Sequence, residues 1–265
     1  MNMDDATTTG KGPKRTPPRK AVILAGGGGT RFHPVSNEIP KPLIPVGRKP
    51  VINYSIENFE RHGVTDMKVI VRPEDRPEFD RWLRVYGGEL LRPGVTVEIV
   101  EEAEPMGTFG FIATGLGDWA GAGDELFVTN SDDIKDIDLG KMYELHAARG
   151  GGATVAVTPV ANPEDYGAVI LDDGAIKGFL EKSKSSPSNI ISIGTYIVSP
   201  DAVRRGAEIA RGGRKFIMIE KDIFPKMAEE GKLFGFMHEG TYEDCGTLEK
   251  WLDIIAKRGG RPSLR

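Results

Sequence analysis

From residue 20 to residue 149 the apolar positions of the chain switch repeatedly between two patterns. Ala21-Val-Ile-Leu-Ala25 is a short unbroken apolar run, the pattern of a strand buried on both faces. Residues 51–62 put Ile52, Ile56 and Phe59 at helical spacing and stop at Gly63, which predicts an amphipathic helix. A second buried strand is expected over 67–71, a helix over 78–86 and a third strand over 95–100. Residues 108–119 read as a helix weakened by glycines, followed by a strand over 125–129 and a helix over 139–149. Strands alternating with helices predict an α/β class: a doubly wound, mostly parallel, Rossmann-like sheet with helices on both faces.

The pattern changes at Gly150-Gly-Gly152. Short β-like runs over 153–160, 168–171, 175–181 and 191–198 are joined by turns such as Asp172-Asp173-Gly174, which predicts hairpins added to the sheet. Helices return over 200–209, near 217–230 and over 248–257. The expected organisation is a leader over 1–19, one domain over 20–258 with halves 20–149 and 150–258, and a tail over 259–265. The leader is polar and Pro-rich, lacks the apolar core of a signal peptide and reads as disordered. No internal repeat is seen.

With 265 residues, 39% of them hydrophobic, the chain can bury a sizeable core. A net charge of −4 with dispersed basic residues argues against nucleic acid as a partner. No apolar run is long enough for a membrane helix. The one cysteine, Cys245, rules out an internal disulfide and fits a cytoplasmic protein.

The first strand runs straight into Gly26-Gly-Gly-Gly29-Thr30-Arg31, and Lys41 follows inside Pro40-Lys41-Pro42. A strand that empties into glycines gathers backbone N–H groups around a small anion, and Arg and Lys add full positive charge. This is the pattern of a triphosphate cradle. A dinucleotide fingerprint would need a third Gly where Arg31 stands and a helix that the following prolines forbid. A P-loop would need Gly-Lys-Ser/Thr, and none occurs.

Leu24-Ala-Gly-Gly-Gly-Gly-Thr-Arg31, Pro40-Lys-Pro-Leu-Ile-Pro-Val46 and Lys49-Pro50 resemble the signature of the sugar-phosphate nucleotidyltransferases, the nucleotide-sugar pyrophosphorylases. Family-like pieces follow in order: Glu104-Pro-Met-Gly-Thr108, Asn130-Ser-Asp132, Tyr166-Gly167, Phe179-Leu-Glu-Lys182, Ile193-Gly194-Thr-Tyr196, and Glu239-Gly240 with Asp244-Cys-Gly-Thr247. The resemblance covers nearly all of 20–258. It implies attack of a sugar 1-phosphate oxygen on the α-phosphorus of an NTP, giving a nucleotide sugar and pyrophosphate. Such a reaction needs in-line positioning and charge neutralisation rather than a covalent nucleophile.

The resemblance assigns the NTP to Leu24, Ala25, Gly26, Gly27, Gly29, Thr30, Glu102, Gly107 and Thr108. Arg31 would clamp the leaving pyrophosphate, and Lys41 would stand near the α-phosphate in the transition state. Asp132, at the end of a predicted strand, and the distant Asp244 would seat Mg²⁺, with Asp133 the competing ligand for Asp132. The sugar phosphate falls to Tyr166, Gly167, Glu181 and Lys182, with Asn189 and Gly194 as further pocket residues. Gly194 reads equally as a strand glycine making room for a neighbour. Ser183 departs from the family pattern, in which proline follows the Glu-Lys pair.

Glu102 stands at the family's base-reading position. A carboxylate only accepts hydrogen bonds, and guanine offers two adjacent donors, so GTP is favoured. Residues around Gly107-Thr108 resemble the guanylyltransferase branch, which includes the mannose and heptose 1-phosphate enzymes. Ser186-Pro-Ser-Asn189 resembles the glucose 1-phosphate thymidylyltransferases, and uridylyl or cytidylyl transfer stays open too. Relatives are commonly homo-oligomers, and the helix around Trp251 is a candidate contact. Two readings of other classes are a glycosyltransferase using Ser131-Asp132-Asp133, and a non-catalytic ligand-sensing subunit. The first leaves Thr30, Arg31 and Lys41 without purpose; the second is disfavoured because Arg31, Lys41, Asp132 and Asp244 are all present. His33, His62, His146 and His238 lack metal-ligand spacing, and Trp82, Trp119 and Trp251 fit helix cores.

Overall fold

The computed structural model describes residues 16–121, 123–181 and 188–258. In chain order these form β1 (Lys20–Leu24), β2 (Pro45–Val46), β3 (Lys49–Pro50), α1 (Val51–Arg61), β4 (Asp66–Val71), α2 (Arg76–Leu90) and β5 (Thr96–Glu101). Then come α3 (Gly110–Thr114), α4 (Asp118–Gly121), β6 (Leu126–Asn130), β7 (Asp133–Lys135), α5 (Leu139–Ala148), β8 (Ala153–Pro159), β9 (Gly167–Asp172) and β10 (Ala175–Glu181). The chain continues through β11 (Ile190–Val198), α6 (Pro200–Arg211), α7 (Phe224–Glu229), β12 (Leu233–Met237), β13 (Tyr242–Asp244) and α8 (Leu248–Lys257).

Side chains of a strand alternate between faces, and β1 uses both. Ala21 and Ile23 pack with Ile52, Ile56 and Phe59 of α1, Phe79 and Trp82 of α2 and Met142 of α5. Val22 packs on the other face with Phe109, Ile112 and residues of α6 and α7. Helices therefore cover both faces. Each large apolar side chain so buried contributes about 1.5–3 kcal/mol. Buried Asn53 of α1 accepts from the Trp82 indole of α2 at 2.8 Å, which ties these helices together, whereas the buried hydroxyls of Ser55 and Ser199 have no hydrogen-bond partner among the described residues.

One nine-stranded sheet runs through both halves in the order β5-β4-β1-β6-β11-β8-β12-β10-β9. Its first four strands are mutually parallel. Beyond β6 the sheet turns mixed: β11 is antiparallel to β6 and β8, β12 is parallel to β8, and β10 is antiparallel to β12 and β9. The expectation of a mostly parallel sheet is thus corrected to a parallel half and a mixed half. The reason is that hairpin and meander connections deliver β9, β10 and β11 without the crossover that parallel pairing needs.

Two further expectations change in detail. The helix expected over 108–119 is broken into α3 and α4, with Gly117 at φ +52° between them. The helix expected near 217–230 is a π-turn over Ile219–Ile223 followed by α7.

Candidate active site

The carboxyl ends of the parallel strands open onto one cleft of about 450 Å³, where an open α/β sheet places its ligands. Its wall holds all the residues expected for nucleotide and catalysis: Leu24, Ala25, Gly26, Gly27, Gly29, Thr30, Arg31, Lys41, Glu102, Gly107, Thr108 and Asp132. The glycine loop leaves β1 and turns at Gly29, whose φ of +59° suits glycine. Ser36 Oγ donates to the Gly29 carbonyl at 2.9 Å, and buried Phe32 packs edge-on against Trp251 at 5.6 Å. The loop is thereby anchored on both sides while Arg31 stays exposed.

Lys41 is no solvated loop lysine. Its side chain is 7% exposed, and Nζ donates to Asp132 Oδ2 at 2.7 Å; Asp132 itself is 39% exposed. Pro40 and Pro42 beside it are buried. Asp133 is separated from Asp132 by its surroundings: it is buried beside Lys135 at 2.7 Å, and burial raises its pKa to about 7. Of the two, only Asp132 lines the cleft.

Asp244 is brought close by a small ribbon. β7 pairs antiparallel with β13, with Asp244 opposite Asp133, so the chain next to Asp132 runs beside Asp244. Asp244 Oδ2 accepts from Tyr166 Oη at 2.8 Å and Lys250 Nζ at 2.7 Å, and Oδ1 from the Gly246 N–H at 2.6 Å. Burial pushes its pKa up, but these bonds outweigh it and hold the carboxyl below its usual value. Among the described residues no group of three or more His, Cys, Asp or Glu is placed to hold a metal. Two carboxylates do suit a Mg²⁺ that completes its shell with phosphate oxygens and water.

Glu102 follows β5 and reaches over Gly26, accepting from the Met106 N–H at 3.2 Å. Burial outweighs that bond and raises its pKa. The Thr108 hydroxyl donates to Glu220 Oε2 at 2.7 Å and accepts from the Ile219 N–H at 3.0 Å. Protein therefore engages this hydroxyl, although the residue lines the cleft.

The residues expected to hold the sugar phosphate are less gathered. Tyr166 joins Asp244 as above, and Gly167 opens β9 opposite Glu181 of β10. Gly194 has φ +66°, and a Cβ there would collide with the amide of Asn130, a cleft residue; the room-making reading of this glycine fits the structure. Asn189 is exposed, outside the cleft wall, and its carbonyl accepts from Val160 N–H at 2.9 Å. Lys182, Ser183, Ser186, Pro187 and the side chain of Glu181 lie outside the described residues.

Sequence reasoning missed two cations. Lys250, in the first turn of α8, bonds both Asp244 and Tyr166 Oη. Its place just after Gly246-Thr247 was a usable signal. Arg72, directly after β4, is held by Asp75 through two bonds of 2.8 and 3.0 Å and borders Gly26 and Gly28. Any residue following a parallel strand of such a sheet was a candidate. Lys250→Ala strips two charge-assisted bonds from this cluster, and because Lys250 is partly exposed the expected loss is about 1 kcal/mol. A urea unfolding midpoint that stays put would show the contacts to be idle. Two histidines are buried and hydrogen-bonded, His146 to Thr154 and Glu125 and His238 to the Thr241 carbonyl, while His33 is exposed. Burial pushes the Cys245 thiol up, away from reactivity.

A protein of Oryza sativa subsp. japonica named Probable mannose-1-phosphate guanylyltransferase 2 is 35% identical over 251 residues, 90% of this chain and 66% of its own length. The mannose-1-phosphate guanylyltransferase catalytic subunit beta of Drosophila pseudoobscura pseudoobscura is 34% identical over 93% of this chain and 62% of its own. The chain thus spans about two thirds of the length of these relatives. A solved UDP-glucose pyrophosphorylase complexed with UDP-glucose superposes with a TM-score of 0.75 at 24% identity, covering 91% of this chain and 98% of that one, a likeness of fold. Residues 20–259 match the family model described as nucleotidyl transferase, and the chain belongs to that family.

Proposed function

We propose that the protein joins an NTP to a sugar 1-phosphate, releasing pyrophosphate, with GTP the favoured nucleotide. The observation that carries this reading is the single cleft in which the glycine loop, Arg31, Lys41 and Asp132 meet. A phosphate oxygen of the sugar 1-phosphate forms a bond to the α-phosphorus while the bond from the α-phosphorus to the bridging oxygen breaks, and the electron pair leaves with pyrophosphate. Backbone N–H groups of Gly27, Gly29 and Thr30 hold the triphosphate, and Arg31 neutralises the departing charge. Lys41 stands beside Asp132 and takes up charge that grows on the α-phosphate. Asp132 and Asp244 would hold Mg²⁺, which when bound supplies positive charge to the phosphate oxygens. Tyr166, Gly167, Glu181 and Lys182 belong to the sugar-phosphate side on the same reading, and mannose 1-phosphate is the acceptor to try first. We place the reaction in the cytoplasm, which the low cysteine content fits, and in a homo-oligomer, for which α8 around Trp251 is the candidate contact. Among the described residues no helix is long and apolar enough to cross a membrane.

The guanine preference rests on Glu102. Its acceptor-only carboxylate matches the paired donors of guanine, whereas an amide presents one donor and one acceptor. Glu102→Gln is expected to raise KM for GTP about tenfold, with kcat changed much less, and to narrow the preference for GTP over UTP and dTTP. Pyrophosphate release measured across five NTPs with mannose 1-phosphate tests this. A variant that keeps the full GTP preference removes the basis of the assignment.

A further inference from the structure

One side of the cleft is apolar, and none of the assignments above uses it. It is made by Phe111 and Ile112 of α3 and by Phe216 and Met218 from the segment before the π-turn. Ile217, between the last two, is fully buried in the core, so alternation along an extended chain turns Phe216 and Met218 toward the cleft. Phe216 is 53% exposed, so its ring is open to a ligand in the cleft.

This segment is rigidly tied to the residue that reads the base. Ile217 N–H donates to the Met106 carbonyl at 2.9 Å, and Phe109 N–H donates to the Ile217 carbonyl at 2.9 Å. Met106 N–H in turn donates to Glu102. Gly107, at φ +76°, lets the two backbones touch, since a Cβ there would run into the Ile217 carbonyl. On the far side Asp222 accepts from the Met218 N–H at 2.8 Å and pairs with Arg214 at 2.9 Å. Glu102, Phe216 and Met218 thus form one braced unit, with a hydrogen-bonding edge and an apolar face on the same cleft.

A planar heteroaromatic ring needs both: an edge partner and a surface for its π-face. We propose that Phe216 is a stacking platform for the base of the bound nucleotide and helps determine which base the cleft accepts. This inference rests on the nucleotide reading given above. A purine offers more ring area than a pyrimidine, so the platform favours GTP over UTP.

The test is equilibrium binding by calorimetry to the full chain, with GTP, UTP and inorganic tripolyphosphate as probes. Phe216→Ala is expected to weaken GTP about tenfold and UTP less, and to leave tripolyphosphate, which has no ring, unchanged. Phe216→Trp should bind GTP at least as tightly as the wild type. Wild-type protein that binds GTP while Phe216→Ala binds it equally well overturns the platform alone. Equal losses for GTP and tripolyphosphate also overturn it, because they report a disturbed cleft. Wild-type protein that binds none of the three overturns the nucleotide reading and the platform with it.

Discussion

Asp132→Asn is expected to lower kcat for pyrophosphate release by about 10²–10³-fold while the protein stays folded. Asparagine keeps the shape of the side chain and removes its charge. Two functions go with the charge: the proposed seat for Mg²⁺, and the counter-charge of Lys41, whose Nζ lies 2.7 Å away. Lys41 is nearly buried, so it loses the partner that offsets its desolvation. Because Asp132 is 39% exposed, water takes over much of that role, and the stability cost is about 1 kcal/mol. A kcat within a few-fold of wild type would remove Asp132 from the chemistry. A large loss of stability would make it a structural residue instead.

Lys41→Met is the second large effect, with an expected fall in kcat of about 10²-fold or more and a smaller change in KM for the nucleotide. Charge that develops only in the transition state is felt in kcat, whereas charge already present on bound triphosphate is felt equally in both states. Methionine fills the space of the stem between the buried Pro40 and Pro42, so packing is kept. Lys41→Arg is expected to rescue poorly, because a planar fork does not replace a compact ammonium in that enclosed turn. Combining Lys41→Met with Asp132→Asn should cost much less than the sum of the two, since each single change already breaks their ion pair. Steady-state kinetics on the three variants checks this; additive losses would mean that the pair has no joint role.

The parts of this arrangement that were legible in the sequence are those set by local chemistry. The run Ala21–Ala25 into glycines marks a buried strand and an anion loop whatever the rest of the chain does. The period changes likewise marked α1, α2 and α5 and the strands β4, β5 and β6. What was illegible depends on long-range pairing. β7 and β13 have three residues each, too few to show a period, yet their pairing brings Asp244 toward Asp132. β12 carries Gly235 against Leu171 and reads as no clear alternation. The antiparallel insertion of β11 beside β6 follows from sheet assembly, not from residue pattern. The preference for Asp132 over Asp133, by contrast, came from its place at the end of a predicted strand, and of the two only Asp132 lines the cleft. The bond between the Thr108 hydroxyl and Glu220 was equally illegible, because Glu220 is far along the chain.

The most direct test of the central claim follows the phosphorus atoms. The protein is incubated with mannose 1-phosphate, Mg²⁺ and GTP labelled at either the α- or the γ-phosphate, and the products are separated. Attack at the α-phosphorus in this cleft predicts that α-label passes into the nucleotide sugar and γ-label into pyrophosphate, and that Asp132→Asn suppresses both. Label from the γ-position recovered as inorganic phosphate, or transferred to the sugar, would contradict it.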